Sequence, residues 1–320
     1  MRSLPNAEEM LVKANNIMQN PKKYYDDKPY VASTENLSYL KDFKIHGNSL
    51  VILGSGDIVF QLVANGITSI KAIEKNALQM YVFALRKAAI KTLDYNLFFD
   101  FLLDVNSSNF LSFKIFNQYV KFGFSENEQE ELKFWTIFLD SHSPVRISQV
   151  FFKGGLEHCS LASIKTSLRY LKNSSYYEAC KENLKKAEIS TILCDAFEFF
   201  ENCDYHFDFI NFSNILLFCA QGSIQLLEDK MQVLKRIYDN NLNKNGIFIV
   251  DYMFGLTSCE LESQKSYMLD SYSNHFLAVN MIIYAILKKY LPFIRTNYVK
   301  ALVKATPIWG KSDSLFYLEK

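Results

Sequence analysis

The stretch Ser49-Leu-Val-Ile-Leu-Gly-Ser-Gly-Asp57 decides the fold class. Its opening is a short, almost wholly apolar run with β-branched members, set between His46-Gly47-Asn48 and Gly54-Ser55-Gly56. Such a run bounded by turn formers reads as a strand buried on both faces, as in a parallel sheet. The two glycines permit a tight turn and a close backbone approach, and residues 58–65 then read as a short helix stopped by Gly66. Ser69-Ile-Lys-Ala-Ile73 reads as a second strand, ending on Glu74. From Ala77 to Lys91, Leu78, Val82, Leu85 and Ala89 recur at helical spacing, with Gln79, Arg86 and Lys87 on the other side.

Outward from this β-α-β-α unit the pattern changes and then resumes. Residues 94–186 hold no strand alternation but several helix-like stretches, such as 127–139 and 160–171, and read as a helical insertion between the second and third strands. Strand signals return at Ile189-Ser-Thr-Ile-Leu-Cys194, Phe207-Asp-Phe-Ile-Asn-Phe212 and Gly246-Ile-Phe-Ile-Val250. Between the last two, Ile224, Leu227, Met231, Leu234 and Tyr238 mark an amphipathic helix. Asp313-Ser-Leu-Phe-Tyr-Leu318 reads as an edge strand closing the chain. Alternating strands and helices predict a Rossmann-like α/β fold with a mostly parallel, doubly wound sheet. The expected layout is a helical lead-in over residues 1–45 and a Rossmann-like domain over 46–320 carrying the insertion at about 94–186.

Composition narrows the function classes. In 320 residues, 49% hydrophobic and 22% charged content predicts a folded, soluble protein rather than a disordered one. The formal net charge of +1 supplies no global field toward nucleic acid, and no nucleic-acid partner is expected. Six cysteines form no C-x-x-C pair and have no histidine at zinc-ligand spacing, so they read as reduced thiols with no metal site. The opening MRSLPNAEEM lacks the apolar core of a signal peptide, which predicts a cytoplasmic location. Residues 276–287 are nearly all apolar but shorter than a spanning helix; they read as a buried helix, with peripheral membrane contact as the alternative.

In an open parallel sheet, ligands bind beyond the carboxyl ends of the strands. The residues there form a consistent set: Gly54, Ser55, Gly56 and Asp57 after the first strand, Glu74 and Lys75 after the second, Asp195-Ala196 after the third and Ser213-Asn214 after the fourth. An acidic residue placed like Glu74 accepts hydrogen bonds from ribose hydroxyls, as an adenosine cofactor requires. Asp57 argues against a dinucleotide, since a carboxylate beside the helix N-terminus repels a pyrophosphate, and Ile58-Val59 stand where a third glycine is wanted. S-adenosyl-L-methionine has no phosphate, and its cationic ammonium and sulfonium suit a carboxylate there. Asp195 serves either the adenine amino group or the cap of a following helix, and Ser213-Asn214 either the region of the sulfonium or a cap.

The stretches Val51-Ile-Leu-Gly-Ser-Gly-Asp57, Ala72-Ile-Glu-Lys-Asn76, Leu85-Arg-Lys-Ala-Ala-Ile-Lys-Thr-Leu93, Asp94-Tyr95 with Phe98-Phe99, and Phe207-Asp-Phe-Ile-Asn-Phe-Ser-Asn-Ile215 occur in order over roughly residues 30–250. Together they resemble the S-adenosylmethionine:diacylglycerol 3-amino-3-carboxypropyltransferases of betaine-lipid synthesis and related bacterial class I methyltransferase-like proteins. The resemblance implies a class I methyltransferase fold with a helical insertion, S-adenosyl-L-methionine as cofactor, and transfer of a methyl or aminocarboxypropyl group to a small-molecule or lipid acceptor. It stops near Asp251, so the acceptor is not carried over. A non-catalytic Rossmann-like scaffold is the competing expectation. Asp251, Tyr252, Tyr30 and Glu35 are candidate bases. The aromatic residues Phe98, Phe99, Phe101, Phe110, Phe113, Phe116, Phe134, Trp135 and Phe138 either roof an acceptor pocket or pack the insertion's own core.

Overall fold

A computed structural model describes residues 3–33, 35–152, 161–201, 203–222, 224–253, 272–300 and 312–320. Its strands are β1 (Asn48–Ile52), β2 (Ser69–Glu74), β3 (Glu188–Leu193), β4 (Phe207–Asn211), β5 (Leu242–Met253), β6 (Arg295–Lys300) and β7 (Ser312–Glu319). They form one mixed, mostly parallel sheet in the order β3-β2-β1-β4-β5-β7-β6. β4 pairs in parallel with β1 and β5, whereas β7 runs antiparallel to both β5 and β6. β7 is therefore an interior strand, not the edge expected from the sequence. Its outer neighbour β6, Arg-Thr-Asn-Tyr-Val-Lys, is too polar to announce itself as a strand, which suits its place at the end of the sheet among the described residues.

The chain gathers into two compact units. The first comprises Met1–Leu37, Leu53–Thr68 and Ala72–Asp195. It holds α1 (Ala7–Gln19), α2 (Asp57–Ala64), α3 (Ala77–Thr92), α4 (Tyr95–Leu102), α5 (Phe113–Gln118), α6 (Gln129–Ser141), α7 (Leu161–Ser167) and α8 (Ser174–Leu184). α1 begins with a reciprocal cap, in which Asn6 accepts from the Glu9 N–H and Glu9 accepts from the Asn6 N–H. It buries Met10, Ala14, Ile17 and Met18, at helical spacing.

α3 departs from the amphipathic expectation. Gln79 and Arg86, assigned to its polar side, are 2% and 0% exposed. The helix packs against both α1 and α6, leaving little of its circumference to water. Its polar side chains find partners within the protein: Gln79 exchanges hydrogen bonds with the Tyr30 backbone at 2.6 and 2.9 Å, and the half-buried Lys87 pairs with Glu128 at 2.6 Å. Beyond α3 the aromatic residues turn inward. Phe134, Trp135 and Phe138 are fully buried, their rings meet at 5.0–5.9 Å, and the Trp135 indole donates to the Tyr81 carbonyl at 2.7 Å. Burial of each such side chain contributes on the order of 1.5–3 kcal/mol.

The second unit comprises Ser38–Ile52, Ser69–Lys71 and Ala196–Lys320. It holds α9 (Ala196–Glu201), α10 (Ile215–Gly222), α11 (Ile224–Arg236) and α12 (Tyr272–Tyr290). α11 buries Leu227, Met231 and Leu234 on one face, as its periodicity predicts. α12 contains the apolar stretch 276–287 and buries Ile283, Ile286 and Leu287. Among the described residues no helix is long and apolar enough to cross a membrane.

The start of β1 is held by Asp208 of β4, which accepts from the Asn48 N–H at 2.8 Å and from the Asn243 side chain at 2.9 Å. Gly47 lies against it at φ +62°, where an added Cβ would sit 1.9 Å from the Asp208 carboxylate. Gly47→Ala is expected to destabilise the protein by about 1–3 kcal/mol through the strained φ and the displaced carboxylate. A denaturation midpoint unchanged from that of the unmodified protein would contradict this.

Candidate functional site

The residues singled out in the sequence divide between the units: Gly54, Ser55, Gly56, Asp57, Glu74, Lys75 and Asp195 lie in the first, Ala196, Ser213 and Asn214 in the second.

In the first unit, Leu53-Gly-Ser-Gly56 closes a turn through a hydrogen bond from the Gly56 N–H to the Leu53 carbonyl at 2.7 Å. Gly54 and Gly56 both have positive φ, at +47° and +83°. Their surroundings differ. A Cβ on Gly56 would lie 2.4 Å from the Phe83 ring, whereas one on Gly54 would meet no atom within 4 Å. Gly56 is thus a packing glycine for α3, and Gly54 leaves backbone accessible to a ligand.

Glu74 joins the end of β2 to this turn. Its Oε2 accepts from the Gly54 N–H at 3.1 Å, while Oε1 accepts from the N–H groups of Lys75 and Asn76 at 3.0 and 2.9 Å. A carboxylate has about four acceptor positions, so one remains, on Oε2. The sequence places both ribose hydroxyls on this side chain, but the geometry has room for one without displacing a backbone bond. Burial pushes the Glu74 pKa up to about 7, against the lowering effect of those N–H groups and of Lys75.

Asp57 is turned inward. It is fully buried, and its Oδ1 accepts from Arg86 at 2.5 Å and from the Tyr170 hydroxyl at 2.6 Å. Its Oδ2 accepts from the Ser33 N–H at 2.6 Å and the Ser55 hydroxyl at 2.7 Å. All of its acceptor positions are filled by protein, and its charge is matched by Arg86. The carboxylate thus braces the turn instead of presenting charge to a cationic ligand. Arg86 also donates to the Ser55 carbonyl at 2.5 Å, so one guanidinium spans the turn and the first residue of α2. Neither Arg86 nor Tyr170 stood out in the sequence: Arg86 occupies a position that periodicity assigns to solvent, and Tyr170 lies 113 positions from Asp57.

In the second unit, Ser213 follows β4 with φ +56°, a left-handed conformation uncommon for a serine. Asn211 holds it there, accepting from the Ser213 N–H at 2.6 Å while donating to the Tyr39 hydroxyl at 2.7 Å. The Ser213 carbonyl accepts from the Tyr252 N–H at 2.8 Å. Strain held this way at a strand's carboxyl end is the kind that binding sites retain. Asn211, read in the sequence only as part of the strand, is the residue that fixes the Ser213-Asn214 pair. Asp195 is half-buried between β3 and α9, and Ala196 is the buried first residue of α9.

Of the candidate bases, Asp251 and Tyr252 are 1% exposed and Glu35 is 6% exposed. The Tyr252 hydroxyl donates to Asp313 at 2.6 Å. Cys180 and Cys194 are buried and Cys203 and Cys219 half-buried, with no disulfide among the described residues; Cys159 and Cys259 lie outside them. No group of His, Cys, Asp and Glu able to hold a metal occurs among the described residues. Neither protein-family models nor curated proteins give a match to this chain.

Two outcomes follow from the turn. Arg86→Met leaves a buried carboxylate without its cation and is expected to destabilise by about 3–5 kcal/mol in chemical denaturation; a loss below about 1 kcal/mol, the range of an exposed pair, would rule out the buried-pair account. For Glu74, the folded protein keeps the proton up to about pH 7 whereas the unfolded chain releases it near 4.5. The folded state therefore binds more protons between those values, and stability falls as pH rises through that window and then levels. Glu74→Gln should flatten this part of the profile, and an unaltered slope would show that Glu74 is not its source.

Proposed function

We propose that this protein is an S-adenosyl-L-methionine-dependent transferase. The observation that carries the reading is the hydrogen bond between the Gly54 N–H and the Glu74 carboxylate. It brings together the glycine turn after β1 and the acidic end of β2, the two elements that adenosine recognition requires. Strand order supports the same choice. The succession β3-β2-β1-β4-β5 is the Rossmann one, but a dinucleotide-binding sheet continues with a sixth strand where this one inserts the antiparallel β7. The reversed strand counts against a dinucleotide-binding sheet and leaves the class I methyltransferase-like fold as the proposed one.

The residues fit such a cofactor on their own chemistry. The open side of Gly54 lets adenosine approach the backbone, and the one acceptor position left on Glu74 Oε2 takes a ribose hydroxyl. Glu74 must be ionised to accept in this way. The bound cofactor supplies an electrophilic carbon next to its sulfonium, and the protein positions a nucleophile for in-line displacement while keeping water away. Displacement at the methyl or at the aminocarboxypropyl carbon leaves different products, S-adenosylhomocysteine or methylthioadenosine. The acceptor in this proposal is a small molecule or a lipid.

Calorimetry with S-adenosylhomocysteine should show binding that strengthens as pH rises toward and past 7, as Glu74 ionises. Glu74→Ala should weaken it by roughly 1–3 kcal/mol. Incubation with S-adenosylmethionine and cell extract should yield one of the two products by mass spectrometry. Binding without either product favours the scaffold reading, and absence of binding in the unmodified protein removes the proposal.

A further inference from the structure

We infer that Tyr170 and Arg86 are positioning residues through which the helical insertion sets the shape, and hence the ligand affinity, of the glycine turn. The inference extends the cofactor reading above and rests on it for the affinity part alone.

The geometry is a junction of four chain segments on one carboxylate. Asp57 opens α2, Arg86 comes from α3, Tyr170 from the insertion between α7 and α8, and Ser33 from the N-terminal segment. The Tyr170 hydroxyl lies 2.8 Å from the Arg86 guanidinium as well as 2.6 Å from Asp57, while its backbone N–H donates to the Gln61 side chain at 3.3 Å. Tyr170 is fully buried, its ring against Phe60 at 5.7 Å between centroids. The tyrosine is thus locked to α2 at both its backbone and its hydroxyl. Burial raises the Tyr170 pKa well above its ordinary value, and Arg86 opposes that shift without cancelling it, so the hydroxyl remains a donor.

The consequence for the turn is direct. Arg86 holds the Ser55 carbonyl at 2.5 Å and is itself aimed by Asp57 and Tyr170. Removing the Tyr170 hydroxyl leaves Arg86 and Asp57 with one constraint fewer and loosens the Ser55–Gly56 peptide, whose carbonyl Arg86 holds and whose N–H is bonded to Leu53. That peptide is separated by a single residue, Ser55, from Gly54, whose N–H is tied to Glu74. A ligand resting on this backbone meets a turn whose geometry the insertion determines. Because coupling is reciprocal, ligand at the turn should in turn protect the segment around Tyr170.

The test uses the full-length protein with Tyr170→Phe, which keeps the ring and removes the hydroxyl. Tyr177→Phe is the control: its hydroxyl is also buried, in α8, but donates to the Ile90 and Leu93 carbonyls, away from the turn. Hydrogen exchange should show faster exchange of the Gly54, Gly56 and Ser33 amides in Tyr170→Phe and unchanged rates in Tyr177→Phe. S-adenosylhomocysteine should bind Tyr170→Phe about tenfold more weakly and Tyr177→Phe as the unmodified protein does. Arg86→Lys, which keeps the charge but not the planar fork, should behave as Tyr170→Phe and serves if that variant fails to fold. Unchanged exchange at Gly54 and Gly56, or equal changes in the Tyr177 control, would overturn the positioning role. If the unmodified protein does not bind S-adenosylhomocysteine, the cofactor reading fails while the exchange comparison still decides whether the insertion shapes the turn.

Discussion

Asp57 is a fully buried carboxylate with every acceptor position filled, and the first unit is organised around satisfying it. An isolated charge in such a place is costly enough that a partner must accompany it, and Arg86 is that partner. Arg86 can be buried only because α3 is covered by other elements, among them α1 and α6. The helical lead-in and the insertion therefore complete the environment of the glycine turn. Around the pair, the Ser33 N–H, the Ser55 hydroxyl and the Tyr170 hydroxyl fix the geometry in all directions.

The contrast between Asp57 and Glu74 shows how two carboxylates in one unit take different roles. Asp57 faces a guanidinium and is held within the protein. Glu74 has no direct ion pair among the described residues; it is surrounded by backbone N–H groups, keeps one acceptor position, and is raised to a pKa of about 7 by desolvation. The first carboxylate is suited to bracing and the second to recognition. In the second unit, Asn211 plays a comparable bracing part for Ser213, holding a strained backbone through its side-chain amide. In both units a buried polar side chain one step removed from the candidate ligand residues determines their geometry.

Much of the fold is legible in local sequence because the signals are local. Short runs rich in apolar and β-branched or aromatic residues locate β1, β2 and β4, and the spacing of Leu227, Met231 and Leu234 locates α11. The glycine turn and Glu74 are equally visible, as turn formers and an acid at strand ends. β6 is not, since an edge strand can be polar, and without β6 the placement of β7 cannot be read. The burial of Gln79 and Arg86 is also hidden, because periodicity reports residue type and not the number of neighbours packed around a helix.

By itself, the sequence determined the strand-turn-helix start, the acid at the end of β2, and the helical character of the segment between β2 and β3, since each is set by residue type over a few positions. The tertiary structure alone decided that Asp57 points inward while Glu74 keeps an acceptor position, that Gly56 serves packing while Gly54 stays open, and that Tyr170 reaches the turn. Those outcomes depend on contacts between residues up to 113 positions apart, where desolvation and hydrogen-bond saturation, invisible in any short stretch of chain, assign each side chain its role.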